Sequence, residues 1–326
     1  MPRKQLRLIT NSELKAQRRC AAEHHMAYEL GIRPIEDPEA LRVGKLIHAG
    51  LEAWWREPNP RLRLAAALAT LPPDANPFEL ARLVEMLHGY HFRWQAEPLV
   101  AVHVEVLFRA PLVNPTTGHE SRTFEQGGKL DVIVLNQDDG RHYFVEHKTT
   151  SDDITIGSVY WRLLRLDTQV STYYAGMRTL GYEPAGVIYD VLVKPKQRPL
   201  LATPPEQRQY TKRDGKLYAN QRELDETPDE YQARVREAIA EAPDKFYARG
   251  TVVRLDGEER DAQWDTWLQA QLIRDNEHAQ RWPRNPDSCR RYGRLCGYFD
   301  VCTNVVSLDD LTRFVRVDDV HPELAP

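Results

Sequence analysis

The spacing of apolar and polar positions changes period several times along the chain. Ser12 reads as the N-cap of a helix running through Glu13, Leu14 and Cys20 to about Leu30, stopped by Gly31 and Pro34. Val43, Ile47, Leu51 and Trp54 recur at helical spacing and predict a second helix over residues 38–55, closed by Pro58 and Pro60. A third is predicted over residues 77–94. From Val100 the period drops to two. Val100, Val102, Val104, Val106 and Phe108 alternate with other residues as in a strand. Residues 114–128 read as polar and turn-rich. Strands follow over residues 129–135 and 142–149, with a hairpin turn at Gln137-Asp138-Asp139-Gly140. After Gly157, the spacing of Val159, Leu163, Leu166, Val170, Tyr173, Met177 and Leu180 predicts one long helix closed by Gly181. Residues 186–193 form another apolar strand, 194–215 an exposed loop, 228–241 a charged helix and 264–281 a further helix. Helix, three strands, helix, strand predicts an α/β domain with one mixed sheet and helices packed on it.

The chain has 326 residues, enough for one large domain or a core with an appended piece. With 41% hydrophobic and 28% charged residues it has an ordinary globular composition. The net charge of −4 excludes a uniformly basic nucleic-acid coat, so any contact with nucleic acid must come from local patches. The opening MPRKQLRLITNSEL lacks the apolar run of a signal peptide, and no stretch approaches the ~18 apolar residues of a membrane span. A cytoplasmic protein without membrane contact is expected. Four cysteines in that setting point to metal binding or catalysis before disulfides.

The most informative residues lie on the predicted hairpin. Glu146 and Lys148 are two apart, so on a strand they share a face. A hairpin closed through residues 137–140 sets Asp131 near Glu146. Two carboxylates and an ammonium then sit on one patch, among Val132, Val134, Phe144 and Val145. Taken alone, Glu-x-Lys also suits a solvent-facing strand edge. Phosphodiester hydrolysis gives the set a reason: paired carboxylates hold a hard divalent cation, which polarises phosphate and activates water, while a lysine stabilises developing charge.

Here the sequence resembles the PD-(D/E)XK nucleases, in particular their RecB-like branch. Gly128-Lys129-Leu130-Asp131 and Glu146-His147-Lys148-Thr149 carry the likeness. Two further pieces match in order: Val43-Gly44-Lys45-Leu46-Ile47-His48, and Gln169-Val170-Ser171-Thr172-Tyr173, whose Gln169 and Tyr173 share a helix face. Leu130 stands where the motif's name has proline. The resemblance covers residues 43–193. It implies a restriction-endonuclease-like core in which His48, Asp131 and Glu146 ligate Mg²⁺ or Mn²⁺ with the backbone carbonyl of His147. It implies Asp131, Glu146 and Lys148 as the catalytic set, and Gln169 and Tyr173 as DNA-contacting or organising residues. Glu105 is placed beside the metal or at a second one.

Cys289, Cys296 and Cys302 follow C-x6-C-x5-C spacing, and Cys20 lies far upstream. Four soft thiolates suit zinc or an iron–sulfur cluster. The paired knuckles usual for zinc are absent, His24 and His25 leave a mixed zinc site open, and inert buried thiols are the third reading. The order of one N-terminal and three C-terminal cysteines around the nuclease motifs resembles the iron–sulfur clasp of the CRISPR-adaptation nucleases and of the AddB subunit. That likeness implies a [4Fe-4S] cluster on Cys20, Cys289, Cys296 and Cys302. It divides the chain into residues 1–30 as the first half of the clasp, 31–280 as the nuclease core with a basic loop at 194–218, and 281–326 as the second half and tail.

Two basic stretches carry aromatic residues, as a single-stranded DNA track does. One holds Lys212 and Arg213 with Tyr210 and Tyr218. The other gathers Arg281, Arg284, Arg290, Arg291 and Arg294 with Trp282 and Tyr292 around the cysteines. Trp161, Arg162 and Arg165 are further candidates, and each stretch alone also suits a solvated loop. The expectation is a DNA exonuclease or end-processing nuclease acting on single strands or duplex ends, in recombination, repair or phage or CRISPR DNA processing. An endonuclease on the same core, a catalytically silent DNA-binding subunit and a zinc-stabilised interaction protein are the rivals. No G-x-x-x-x-G-K-[ST] motif is present, so a helicase partner would be a separate chain.

Overall fold

The computed structural model describes residues 6–35, 39–291 and 293–324. The first half runs β1 (Arg7–Thr10), α1 (Asn11–Arg19), α2 (Ala21–His24), β2 (Ile32–Pro34), α3 (Glu39–Arg56), α4 (Arg63–Leu68), α5 (Pro77–Trp94), β3 (Leu99–Val113), β4 (Glu120–Asn136) and β5 (Arg141–Thr150). The second runs α6 (Val159–Leu164), α7 (Thr168–Thr179), β6 (Pro184–Val193), α8 (Pro228–Glu241), β7 (Tyr247–Val252), α9 (Asp256–Ala279), β8 (Arg290–Arg291), β9 (Arg294–Leu295), α10 (Phe299–Cys302) and β10 (Phe314–Arg316).

The expected α/β architecture is present. Six strands form a mixed sheet in the order β1-β4-β5-β6-β7, with β3 also pairing β4. The β3–β4, β4–β5 and β6–β7 pairs are antiparallel, and β1–β4 and β5–β6 are parallel. Alternation along the strands splits the core in two. On one face Val132, Val134, Val145, Ile188 and Leu192 meet Ile47, Leu51 and Trp54 of α3, Leu87 and Tyr90 of α5, and Val235 of α8. On the other, Ile133, Phe144, Val187, Tyr189 and Val191 meet Val170, Tyr174 and Met177 of α7. Because β6 is covered on both faces, its sequence reads as a continuous apolar run broken only by Asp190. Truncating a fully buried residue such as Leu51 to Ala would cost roughly 2–5 kcal/mol.

Two close approaches bring helices down onto the sheet. The Phe108 ring is wedged between Gly128 and Gly176, where a Cβ would come within 2.8 Å and 2.6 Å of it, and this seats α7 on β3 and β4. Gly44 lets α3 lie against Thr149 of β5, where a Cβ would sit 3.2 Å from the Thr149 hydroxyl.

Several expectations are corrected. The first helix is not continuous: Cys20 is extended (φ −164°, ψ 116°), so α1 ends there, and α2 and a π-helical turn at His25–Glu29 follow. Its cap is Thr10, whose hydroxyl accepts the Glu13 N–H, and not Ser12. Pro38, the expected start of the second helix, lies outside the described residues. Residues 120–128 belong to β4 rather than to a turn, because Phe124–Gly127 pair with β1 on one side while β4 pairs with β3 on the other. This tertiary pairing overrides their polar composition. The long helix at 159–180 breaks at Asp167, whose side chain caps α7 by accepting the Gln169 N–H, and Val159, Leu163 and Leu166 are exposed instead of buried. Helix α9 starts at Asp256 instead of residue 264. Strands β1 and β7 and helix α4 carry no clear periodicity and were not expected. Among the described residues no helix is long and apolar enough to cross a membrane.

Candidate active site

The β4–β5 ladder ends at Val132 opposite Val145. One step further, the same register sets Asp131 opposite Glu146. On the other side β3 pairs Val104 with Val132 and Val106 with Leu130, which sets Glu105 opposite Asp131. Three carboxylates therefore line up across three adjacent strands. Where backbone pairing stops, the Asp131 carboxylate accepts the His147 N–H at 2.9 Å. Glu105 has a left-handed φ of 54° and pairs with Lys129 at 2.5 Å. A non-glycine residue held there is strained, and such strain clusters at functional sites.

Lys148 and Gln169 complete the set. The Lys148 ammonium donates to Glu146 Oε1 at 2.6 Å and to Gln169 Oε1 at 2.9 Å. The Gln169 amide donates to Glu146 Oε1 at 2.7 Å and to the Tyr173 hydroxyl at 2.8 Å. Glu146 Oε1 is thus saturated, whereas Oε2 is buried with no hydrogen-bond partner. His48, on α3, lies with Nδ1 4.0 Å from Asp131 Oδ2.

Burial, then the neighbouring Glu146, pushes the Asp131 carboxyl up to about 7. Enclosure and the nearby His147 and Lys148 push His48 down to about 3, leaving a neutral imidazole with a lone pair to give. Burial works against the Lys148 charge, but Glu146 and Asp167 outweigh it and hold its pKa above the usual lysine range. An acid pair that resists ionising together, one buried acceptor oxygen without a partner and a neutral imidazole are a donor set a divalent cation would relieve. Among the described residues, however, no three His, Cys, Asp or Glu side chains close up on one point as they stand.

Several residues at this site carried no sequence signal. Lys15, on α1, pairs with the α7 cap Asp167 at 2.9 Å and lies within electrostatic reach of Glu146 and Lys148. The His147 ring faces the opposite side of the sheet from Glu146. There Asp190 Oδ2 lies 3.3 Å from its Nδ1, and that carboxylate accepts from Tyr90 at 2.6 Å and from Arg249 at 2.9 Å. Asp190 in an otherwise apolar strand was the available clue.

The four cysteines line one cavity of about 530 Å³, together with Met26, Arg284 and Phe299. All four are free thiols. They come from the extended Cys20, the end of a 3-10 turn (Cys289), the residue after β9 (Cys296) and the end of α10 (Cys302). Burial, then the Glu23 carboxylate and the Cys20 and Cys302 thiols, pushes Cys296 up to about 11, against a backbone hydrogen bond at Tyr298. His24 and His25 do not line this cavity. His24 pairs with Glu13 at 2.9 Å, and His25 pairs with Glu29 at 2.7 Å and stacks on Trp282 at 3.5 Å.

The basic stretch folds back on itself. Thr203 N–H donates to Arg222 O, Tyr218 N–H donates to Gln209 O, and Tyr210 bridges Leu217, which sets Lys212 and Arg213 at an exposed tip. Among the described residues no hydrogen bond joins this arm to Asp131, Glu146 or Lys148. Two expected DNA-stacking aromatics are engaged elsewhere: Trp161 donates to Ile154 O at 2.7 Å and Trp282 to Glu29 at 2.9 Å. Tyr292 lies outside the described residues.

A family model described as the PD-(D/E)XK nuclease superfamily matches residues 9–303, a span that contains every residue discussed above from Lys15 to Cys302. No curated protein matches the chain. Among solved structures, the crystal structure of SSO0001 is similar over 73% of this chain and 76% of its own, at 14% identity and a TM-score of 0.26, which carries no argument about function.

Proposed function

The chain belongs to the PD-(D/E)XK nuclease superfamily, and we propose that within it the protein is a Mg²⁺- or Mn²⁺-dependent DNA exonuclease or end-processing nuclease of the RecB-like branch. The observation that carries this reading is Glu146. One oxygen is tied to Lys148 and Gln169, and the other is buried, unpartnered and beside Asp131.

In this reading Asp131, Glu146, His48 and the His147 backbone carbonyl hold the cation. When bound, a divalent cation polarises the phosphate and lowers the pKa of water. The chain's own groups do the rest. Lys148, fixed between Glu146 and Gln169, keeps its proton and faces the developing negative charge. Gln169 and Tyr173 hold Lys148 and Glu146 in register. Neutral His48 offers a lone pair without adding charge. Glu105 holds Lys129 on the neighbouring strand.

A [4Fe-4S] cluster is the second cofactor in this reading: four free thiols from both chain ends line one cavity, although among the described residues no three of them close on one point as they stand. The exposed Lys212 and Arg213, with Tyr210 and Tyr218 half exposed, support a phosphate-dominated, sequence-independent grip on single-stranded DNA.

The test compares a circular single strand with the same strand linearised, each incubated with Mn²⁺. The account expects the linear form to be degraded and the circle to survive. Equal rates on both replace the exonuclease by an endonuclease on the same core.

A further inference from the structure

Between β5 and α7 the chain makes an excursion whose two ends are tied to the catalytic side chains. Lys148 lies just before it and Gln169 just after it, and the two are hydrogen-bonded at 2.9 Å. The excursion is held firmly from within. Trp161 donates to Ile154 O at 2.7 Å, its ring lies against Gly250 where a Cβ would come within 2.6 Å, and Ile154 and Leu164 are buried.

Its outer surface is unlike that of a solvated loop. Ile156 is 96% exposed, Leu166 79%, Val159 65% and Leu163 63%. Arg162 and Arg165 stand exposed among them and make no ion pair among the described residues. The acids at the start of the excursion are already engaged, Asp152 by Thr150 and Asp153 by Thr155. A rigid apolar edge with free arginines, bracketed by catalytic groups on a protein of net charge −4, is matched to a polyanion that offers apolar surface. DNA does both. Aliphatic side chains stack poorly on single bases compared with aromatic ones, but they act as wedges between base pairs.

We infer that α6 and the loop before it form a strand-parting lip. Ile156, Val159, Leu163 and Leu166 press against the terminal pair of a duplex end. Arg162 and Arg165 hold the phosphates of the displaced strand, and the other strand passes toward Lys148. This rests on the nuclease reading and extends it from single strands to duplex ends.

The test uses the full chain, a blunt duplex carrying 2-aminopurine at its end, and the labelled strand of that duplex alone. With Mn²⁺, Ile156→Ser combined with Leu163→Ser should cut the duplex about tenfold more slowly than wild type while cutting the single strand within about twofold of the wild-type rate. In a Lys148→Ala background, binding should raise 2-aminopurine fluorescence as the terminal base unstacks, and the added Ile156→Ser and Leu163→Ser changes should abolish that rise. Equal losses on both substrates, no loss on the duplex, or a fluorescence rise that survives the lip changes each overturn the lip. If wild type cuts neither substrate, the nuclease reading fails, and the fluorescence comparison still decides whether the lip opens duplex ends.

Discussion

The candidate active site, called the cleft below, and the cysteine cavity gather this chain's two sets of reactive side chains, and they are built in opposite ways. In the cleft the sheet register puts Glu105, Asp131 and Glu146 on adjacent strands, and Glu146, Lys148, Gln169 and Tyr173 are joined by hydrogen bonds of 2.6–2.9 Å. Protein bonds alone fix that arrangement. In the cavity the thiols come from irregular or very short elements, without a disulfide among them, around an open volume of about 530 Å³. Helix α1 joins the two regions: Lys15 reaches toward the cleft, and Cys20 caps its far end. The contrast teaches that hydrogen bonds fix the side chains of the acid–lysine site, whereas no bond within the protein joins the four thiols. Damage to the first should cost activity, and damage to the second should cost the fold.

The largest effect expected is in the cleft. Lys148→Ala should lower single-turnover cleavage by ~10³-fold while a Mn²⁺ titration changes little, and Asp131→Ala should lose both. Wild-type cleavage by Lys148→Ala would break the comparison at once. Next comes the cavity. Freshly purified protein should absorb broadly near ~400 nm, and Cys20→Ser should bleach it as fully as Cys296→Ser and lower the melting temperature, with the Mn²⁺ titration unchanged. Colourless protein with stoichiometric zinc, after anaerobic purification, would put a zinc site in the cluster's place.

A smaller effect concerns pH at the junction of the chain ends. Burial works against the Glu13 carboxylate, but His24, His321 and Arg7 outweigh it and hold its pKa at about 2, and Glu29 is likewise held at about 2 by His24, His25 and Trp282. From a usual value of 4.5, that stability is present above pH 4.5 and is lost as pH falls toward 2. His24 is opposed by burial yet raised above 6.5 by Glu13 and Glu29, so its contribution is present below pH 6.5 and is lost as pH rises through the raised value. The melting temperature of wild type should therefore exceed that of His24→Gln most between pH 4.5 and 6.5. A gap that widens toward pH 8 contradicts this. The smallest effect is at the arm: replacing Lys212 and Arg213 with Ala should weaken DNA binding about fivefold and flatten its salt dependence by about two ions, with Mn²⁺ affinity untouched.

The cleft was more legible in the sequence than the cavity. A period-two pattern, a hairpin turn and residues two apart suffice to bring Asp131, Glu146 and Lys148 to one face, because a strand fixes side-chain direction. Gln169 and Tyr173 came from the family resemblance, and helical spacing put them on one face. Lys15, Asp190, Tyr90 and Arg249 escaped because their contacts are set by packing between elements far apart in the chain. The break at Cys20 escaped for a related reason: the helical pattern of residues 12–30 runs on through it, and its extended backbone appears only in the fold. The same override turned residues 120–128 into strand and left Val159, Leu163 and Leu166 in solvent.

The central claim is that Asp131 and Glu146 hold the cation with which this chain cuts DNA. Its most direct test is digestion of end-labelled linear single-stranded DNA by wild type and by Glu146→Ala, with and without Mn²⁺. The account predicts cleavage only by wild type and only with Mn²⁺. Cleavage by wild type without any divalent cation, or cleavage by Glu146→Ala at the wild-type rate, would contradict it.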